Sequence, residues 1–246
     1  MIKIVSHLIF SLFIGLNLYA SDFELGEEAF DKNDFKRAAE LFKKACNDGN
    51  KQGCYNSAFI YYNGYGEIKK DYTKAIELYN KSCDSKYGEA CYMLGTSYEF
   101  GKGVIQDSSK AKEFYIKGCD NGYIEGCYNS GNKYSDKNGV NQDYIVANNL
   151  FQKACDGGKN EACFNLGMSY KFGTGTTLNY FKANELFKKS CDAGIKEGCY
   201  FLGYSYVKGE GIRQDNIKAK ELFGKACDLG YQHGCDGYAK LNSQSN

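Results

Sequence analysis

The sequence predicts an all-α solenoid of stacked helix pairs, and three observations carry that prediction. Twelve cysteines form six pairs with seven residues between partners: Cys46 and Cys54, Cys83 and Cys91, Cys119 and Cys127, Cys155 and Cys163, Cys191 and Cys199, Cys227 and Cys235. The pairs recur every 36 or 37 residues in a chain of 246 residues that contains no proline. Within each period, small and aromatic residues repeat at helical spacing. A fixed period of this size signals one supersecondary unit repeated along an axis. A hydrophobic content of 43% is enough to bury a core between such units.

Taken in order, the chain opens on MIKIVSHLIFSLFIGLNLYA, which has the shape of a secretory leader: Lys3 as the charged start, an apolar stretch from Ile4 to Leu16, and small Ala20 at the end. Residues 1–20 are therefore expected to be a signal peptide cleaved after Ala20. The apolar stretch is short for a bilayer span, which needs about 20 residues. The mature chain is expected to be secreted or periplasmic, with no membrane insertion once the leader is gone.

Next comes a short first unit, 22–50, with helices expected over DFELGEEAFDKND and FKRAAELFKKACNDGN. Full units are expected at 51–87, 88–123, 124–159, 160–195 and 196–231, then a capping helix at 232–241 and a polar tail at 242–246. Counting from the second cysteine of each pair, a small residue stands four places on (Ala58, Gly95, Gly131, Gly167, Gly203). A tyrosine stands seven places on (Tyr61, Tyr98, Tyr134, Tyr170, Tyr206). Offsets of 0, 4 and 7 share one helix face. Glycine inside a helix costs roughly 1 kcal/mol against alanine, so its recurrence suggests that another backbone passes close by.

A Gly-x-Gly turn follows (Gly64/Gly66, Gly101/Gly103, Gly173/Gly175, Gly209/Gly211), reduced to Gly139 in one unit. No Gly-Lys-Ser/Thr follows it, so it does not read as a phosphate loop. Asp71, Asp107, Asp143, Asn179 and Asp215 suit the start of a second helix. Gly49, Gly122, Gly158, Gly194 and Gly230 suit its left-handed stop, from which Asp84-Ser85-Lys86-Tyr87 departs.

Cysteines eight apart on one unbroken helix would be about 12 Å apart along the axis, beyond the Cα limit of about 7 Å for a disulfide. A helix break between them removes the difficulty, and six local bridges, paired in order, are expected. Zinc is the rival, but the spacing is too long and histidine too scarce: the chain has His7, in the leader, and His233. No metal and no cofactor is implied.

The run C-Y/F-x-L-G-x-x-Y-x-x-G-x-G-V/I-x-x-D-x-x-K-A-x-x-x-F/Y-x-K-A/S/G-C-D-x-G resembles Sel1-like repeats, relatives of the tetratricopeptide repeat. With a cysteine pair per unit and a leader, it is similar to the Helicobacter cysteine-rich protein family. Departures are local: Ala58 for glycine, Lys137 for the first turn glycine, Asn179 for aspartate, and one extra residue around Glu67 to Lys70. The resemblance implies a right-handed αα-superhelix stapled by disulfides. It implies penicillin binding with slow β-lactamase activity, hence β-lactam or peptidoglycan-like ligands, and equally a secreted scaffold for extracytoplasmic or host proteins.

The residues themselves support the two activities unequally. Three S-x-x-K matches occur, Ser109/Lys112, Ser130/Lys133 and Ser205/Lys208, where composition alone gives about two by chance. The S-D-N and K-T-G partners of a serine β-lactamase are missing, so each match reads as a solvated helix face and the catalytic residues are unknown. Paired cysteines leave no thiol nucleophile, and His233 reads as an exposed residue near the last helix's start. For a scaffold, the residues one and two after the cysteine are the candidates: Tyr55-Asn56, Tyr92-Met93, Tyr128-Asn129, Phe164-Asn165 and Tyr200-Phe201. The aromatics serve either a ligand or the joint between repeats. Asn56, Asn129 and Asn165 have the better claim to a peptide groove, because a carboxamide both donates to and accepts from a peptide backbone. Net charge is +1, with 31 basic residues interleaved among 30 acidic ones, which excludes a nucleic-acid surface built on concentrated positive charge.

Overall fold

The computed structural model describes residues 20–136 and 142–243, and among them every regular element is an α-helix. The expected leader, apart from Ala20, and the turn residues Lys137 and Gly139 lie outside the described residues. A short first pair, α1 (Asp22–Asp31) and α2 (Phe35–Asn47), is followed by five full pairs. These are α3 (Lys51–Asn63) with α4 (Tyr72–Asp84), α5 (Gly88–Phe100) with α6 (Ser108–Asp120), α7 (Ile124–Ser135) with α8 (Tyr144–Asp156), α9 (Asn160–Phe172) with α10 (Tyr180–Asp192), and α11 (Lys196–Lys208) with α12 (Asn216–Asp228). The last described helix is α13 (Gln232–Ser243), which runs two residues past the Leu241 boundary suggested by the sequence.

Each second helix starts where its polar residue predicts. Asp71, Asp107, Asp143, Asn179 and Asp215 accept a backbone N–H from two or three residues on, at 3.0–3.1 Å. The same residues donate their own N–H to the carbonyls of Tyr61, Tyr98, Tyr134, Tyr170 and Tyr206, at 2.8–3.0 Å. One residue thus closes the turn and opens the helix, which fixes the angle between partners in all five full pairs.

Second helices stop as predicted, with Gly49, Gly122, Gly158, Gly194 and Gly230 at φ between +81° and +94°. In the one unit without this glycine, Lys86 takes the left-handed conformation itself, at φ +60°. A side chain there costs about 1–2 kcal/mol, partly offset by the larger chain entropy that glycine loses. Lys86→Gly is therefore expected to stabilise the protein by about 0.5–1 kcal/mol, measured by urea unfolding; a loss of stability would contradict this account.

The glycine column on the first helices has a different cause from the one its sequence suggests. A β-carbon at Gly95, Gly131, Gly167 or Gly203 would lie 2.5–3.0 Å from the ring of Tyr115, Phe151, Phe187 or Phe223, and one at Gly26 would lie 2.7 Å from Phe42. The nearest occupant is an aromatic ring from the second helix of the same pair; a backbone also comes close at Gly167 and Gly203, where the Ala183 and Ala219 carbonyls would lie 3.3 and 3.2 Å from the β-carbon. Ala58 shares a core cluster with the fully buried Tyr79. Turn glycines connect successive pairs instead: β-carbons at Gly103, Gly175 and Gly211 would lie 2.5–2.7 Å from Tyr72, Tyr144 and Tyr180, which open α4, α8 and α10. That contact leaves no open cradle in the turn.

All six cysteine pairs are bridged in the predicted order, with Cα atoms 4.4–4.8 Å apart. Each bridge ties the last turn of a second helix to the first turn of the next first helix. No cysteine is free. Bridges of this number indicate an oxidising, extracytoplasmic environment. Among the described residues, no helix is long and apolar enough to cross a membrane.

Candidate functional site

Asn56, Asn129 and Asn165 stand half-buried on α3, α7 and α9, at the same register of the repeat. Asn129 and Asn165 occupy neighbouring first helices, and Asn165 Nδ2 donates to Asn132 Oδ1, one turn beyond Asn129, at 3.0 Å. Asn56 stands apart, because Met93 takes its register on α5.

The aromatics one place earlier fill the joints between repeats. Tyr55 packs on Tyr87, Tyr92 on Tyr123 and Tyr200 on Tyr231, with ring centroids 5.2–5.4 Å apart. Tyr128 instead meets the Lys159 ammonium, 5.2 Å from its centroid. Burial pushes the phenols of Tyr55 and Tyr92 upward, a shift that a hydrogen bond with Asn129 opposes at Tyr92. Neither is a phenolate nucleophile at neutral pH.

The serine motifs are not solvated helix faces in every case, which corrects the expectation. Ser109 is exposed in the first turn of α6, but Ser130 and Ser205 are buried, and Ser205 Oγ donates to the Phe201 carbonyl at 3.1 Å. Both hydroxyls are shut off from solvent, where no substrate reaches them. Lys133 is engaged elsewhere: its ammonium donates to both Glu99 oxygens at 2.8 and 2.7 Å. Tyr115 donates to the same carboxylate, and burial and that bond push its phenol up. This network escaped the reading of the sequence because Glu99 and Lys133 are 34 residues apart, and only alignment of the units brings them to one face. His233 is exposed at the start of α13, against the rings of Tyr200 and Tyr231. Among the described residues, no three His, Cys, Asp or Glu side chains are grouped to hold a metal.

Two clefts open between first helices. One of about 470 Å³ lies between α1 and α3, lined by Glu27, Phe30, Asp31, Tyr55, Asn56 and Phe59. The other, of about 430 Å³ between α9 and α11, has Phe172, Phe201 and Tyr204 on its walls and holds the ion pair of Lys171 with Glu210.

The repeat geometry agrees with a family model described as Sel1 repeat, which matches residues 23–50, 51–87, 88–123, 124–159, 160–195 and 196–231. The chain belongs to the Sel1 repeat family. Over 72 residues this Sel1 repeat protein is 40% identical to "Putative beta-lactamase HcpE" of Helicobacter pylori strain J99, covering 26% of this chain and 20% of that protein. The chain thus spans about a fifth of the curated relative it matches. Among solved structures, it is similar to c5321, a protective antigen of uropathogenic Escherichia coli with an SLR fold, at 25% identity and a TM-score of 0.75, over 89% of this chain and 48% of that one. A Sel1 repeat protein from Oxalobacter formigenes shares the fold at 22% identity and a TM-score of 0.69, over 84% of both chains. The resemblance carried by the repeat motif and cysteine pairs, to Sel1-like repeats of the Helicobacter cysteine-rich protein family, agrees with these matches.

Proposed function

We propose that this Sel1 repeat solenoid, continuous over residues 21–241, is exported and acts as a scaffold that holds an extended peptide segment of an extracytoplasmic or host protein. The leader-like start and the six disulfides support export. The observation that carries the binding role is the pair of half-buried carboxamides Asn129 and Asn165, on neighbouring first helices at one register, with Asn56 at the same register farther along. Carboxamides repeated in this way match the alternating donors and acceptors of an extended backbone.

The test is a random peptide library displayed on phage and selected on the oxidised protein, followed by fluorescence anisotropy of the selected peptide. Each hydrogen bond contributes about 0.5–1.5 kcal/mol, so the double variant Asn129→Ala/Asn165→Ala is expected to bind at least about fivefold more weakly with its helix content unchanged. Selection of no peptide, or an unchanged affinity, would overturn the proposal.

Slow hydrolysis of the β-lactam amide is a second reading, supported by the name of the relative HcpE. Burial of Ser130 and Ser205 works against it. No turnover of a chromogenic cephalosporin above a denatured control is expected from the oxidised protein. Sustained turnover would instead establish hydrolysis and favour β-lactam or peptidoglycan-like ligands.

A further inference from the structure

We propose that the cleft between α1 and α3 binds a cationic side chain, an arginine or lysine of the peptide held on the first-helix face; this rests on the scaffold reading above. The inference comes from comparing equivalent joints of the repeat. With the ring-accepting glycine as origin, Glu27, Phe30 and Asp31 on α1 stand where Met168, Lys171 and Phe172 stand on α9. The α1/α3 and α9/α11 clefts are therefore the same feature with different contents.

At α9/α11 the chain supplies its own cation. The Lys171 ammonium pairs with Glu210 and lies 4.9 Å from the centre of the Tyr204 ring, with only 7% of the lysine exposed. At α5/α7 it does so again: Lys133 binds Glu99 and lies 5.5 Å from the Phe100 ring and 5.7 Å from the Tyr115 ring. Both joints place an ammonium between a carboxylate and aromatic faces, an arrangement that strengthens as water is excluded.

The α1/α3 joint has the carboxylates and the rings without the ammonium. Glu27 and Asp31 lie one helical turn apart on the cleft wall, and among the described residues neither belongs to an ion pair, whereas the adjacent Glu28 is held by Lys32. Tyr55 and Phe59 stack at 6.1 Å with 23° between planes and line the same space. Asn56 adds a carboxamide that can accept from a guanidinium or ammonium. The volume of about 470 Å³ accommodates a long cationic side chain together with part of its backbone. Two unpaired carboxylates beside stacked rings favour a cation over a neutral group of the same shape.

The experiment is an NMR titration of the ¹⁵N-labelled, oxidised full chain with N-acetyl-arginine amide, and with N-acetyl-citrulline amide as the neutral isostere. Saturable shifts at the Asn56 side chain and at the backbone of Tyr55 and Phe59 are expected with the arginine compound. Affinity is expected to be about tenfold weaker for citrulline, and about tenfold weaker in Glu27→Gln/Asp31→Asn, whose replaced side chains are exposed. Equal binding of both compounds, unchanged binding by the double variant, or no saturable shift would overturn the proposal. Peptide binding that still depends on Asn129 and Asn165 under those outcomes would leave the scaffold reading standing, while loss of that dependence would remove the scaffold itself.

Discussion

Phe187→Ala is expected to destabilise the protein by about 3–5 kcal/mol, the usual cost of emptying a buried aromatic site. Phe187 is fully buried on α10, and its ring enters the notch left by Gly167 on α9. It also meets Phe164 at 6.0 Å and Phe201 at 5.6 Å between centroids, so one ring joins its own pair to α11 of the next. In a solenoid each unit leans only on its neighbours, and a cavity here weakens the unit and one of its two interfaces together. Urea unfolding measures the loss. The companion variant Gly167→Ala tests the notch itself. In the parent its β-carbon would be 2.8 Å from the ring, an overpacking that costs about 1–3 kcal/mol. In the Phe187→Ala background the ring clash is gone and only the Ala183 carbonyl, 3.3 Å from that β-carbon, still crowds it, so with alanine's helix preference of about 1 kcal/mol the same change is expected to cost clearly less than in the parent. Equal effects in both backgrounds would show that the ring is not what the glycine accommodates.

Removing one buried bridge, by Cys155→Ala with Cys163→Ala, is expected to cost about 2.5 kcal/mol, the chain-entropy value for a loop of eight residues. The bridges also differ in accessibility. Cys227 and Cys235 are half-buried, whereas the other ten cysteines are buried. Thiol–disulfide exchange requires access to a sulfur, so under limiting dithiothreitol the Cys227–Cys235 bridge is expected to open first. Alkylation and peptide mass mapping would then label those two cysteines before any other. Earlier labelling of an interior pair would contradict this order.

What the sequence makes legible here is local chemistry repeated often enough to be read. The N-caps at Asp71 through Asp215, the left-handed glycines and the six bridges each depend on residues within about one turn of each other across a break, so their spacing carries the information. Contacts between elements are less legible. The column from Gly95 to Gly203 is plainly a close approach, but the ring that causes it comes twenty residues later, and nothing in the first helix says whether ring or backbone will arrive. Ser130 and Ser205 are misread for a related reason: a single small hydroxyl suits either a wet face or a tight interface, and only packing decides. Of the candidate binding face, the register of Asn56, Asn129 and Asn165 is visible in the aligned units. Its division into two lysine-filled joints and one open acidic joint depends on which carboxylate meets which ammonium a full unit away.

The uniform eight-residue step of the bridges has an evolutionary consequence. Every bridge straddles the junction between one unit and the next, so each period carries the second half of one bridge and the first half of the following one. Duplicating or deleting one whole period, wherever the cut falls, leaves every cysteine with a partner at the same distance. The array can therefore lengthen or shorten by recombination without stranding a thiol, while its surface residues diverge to recognise something new.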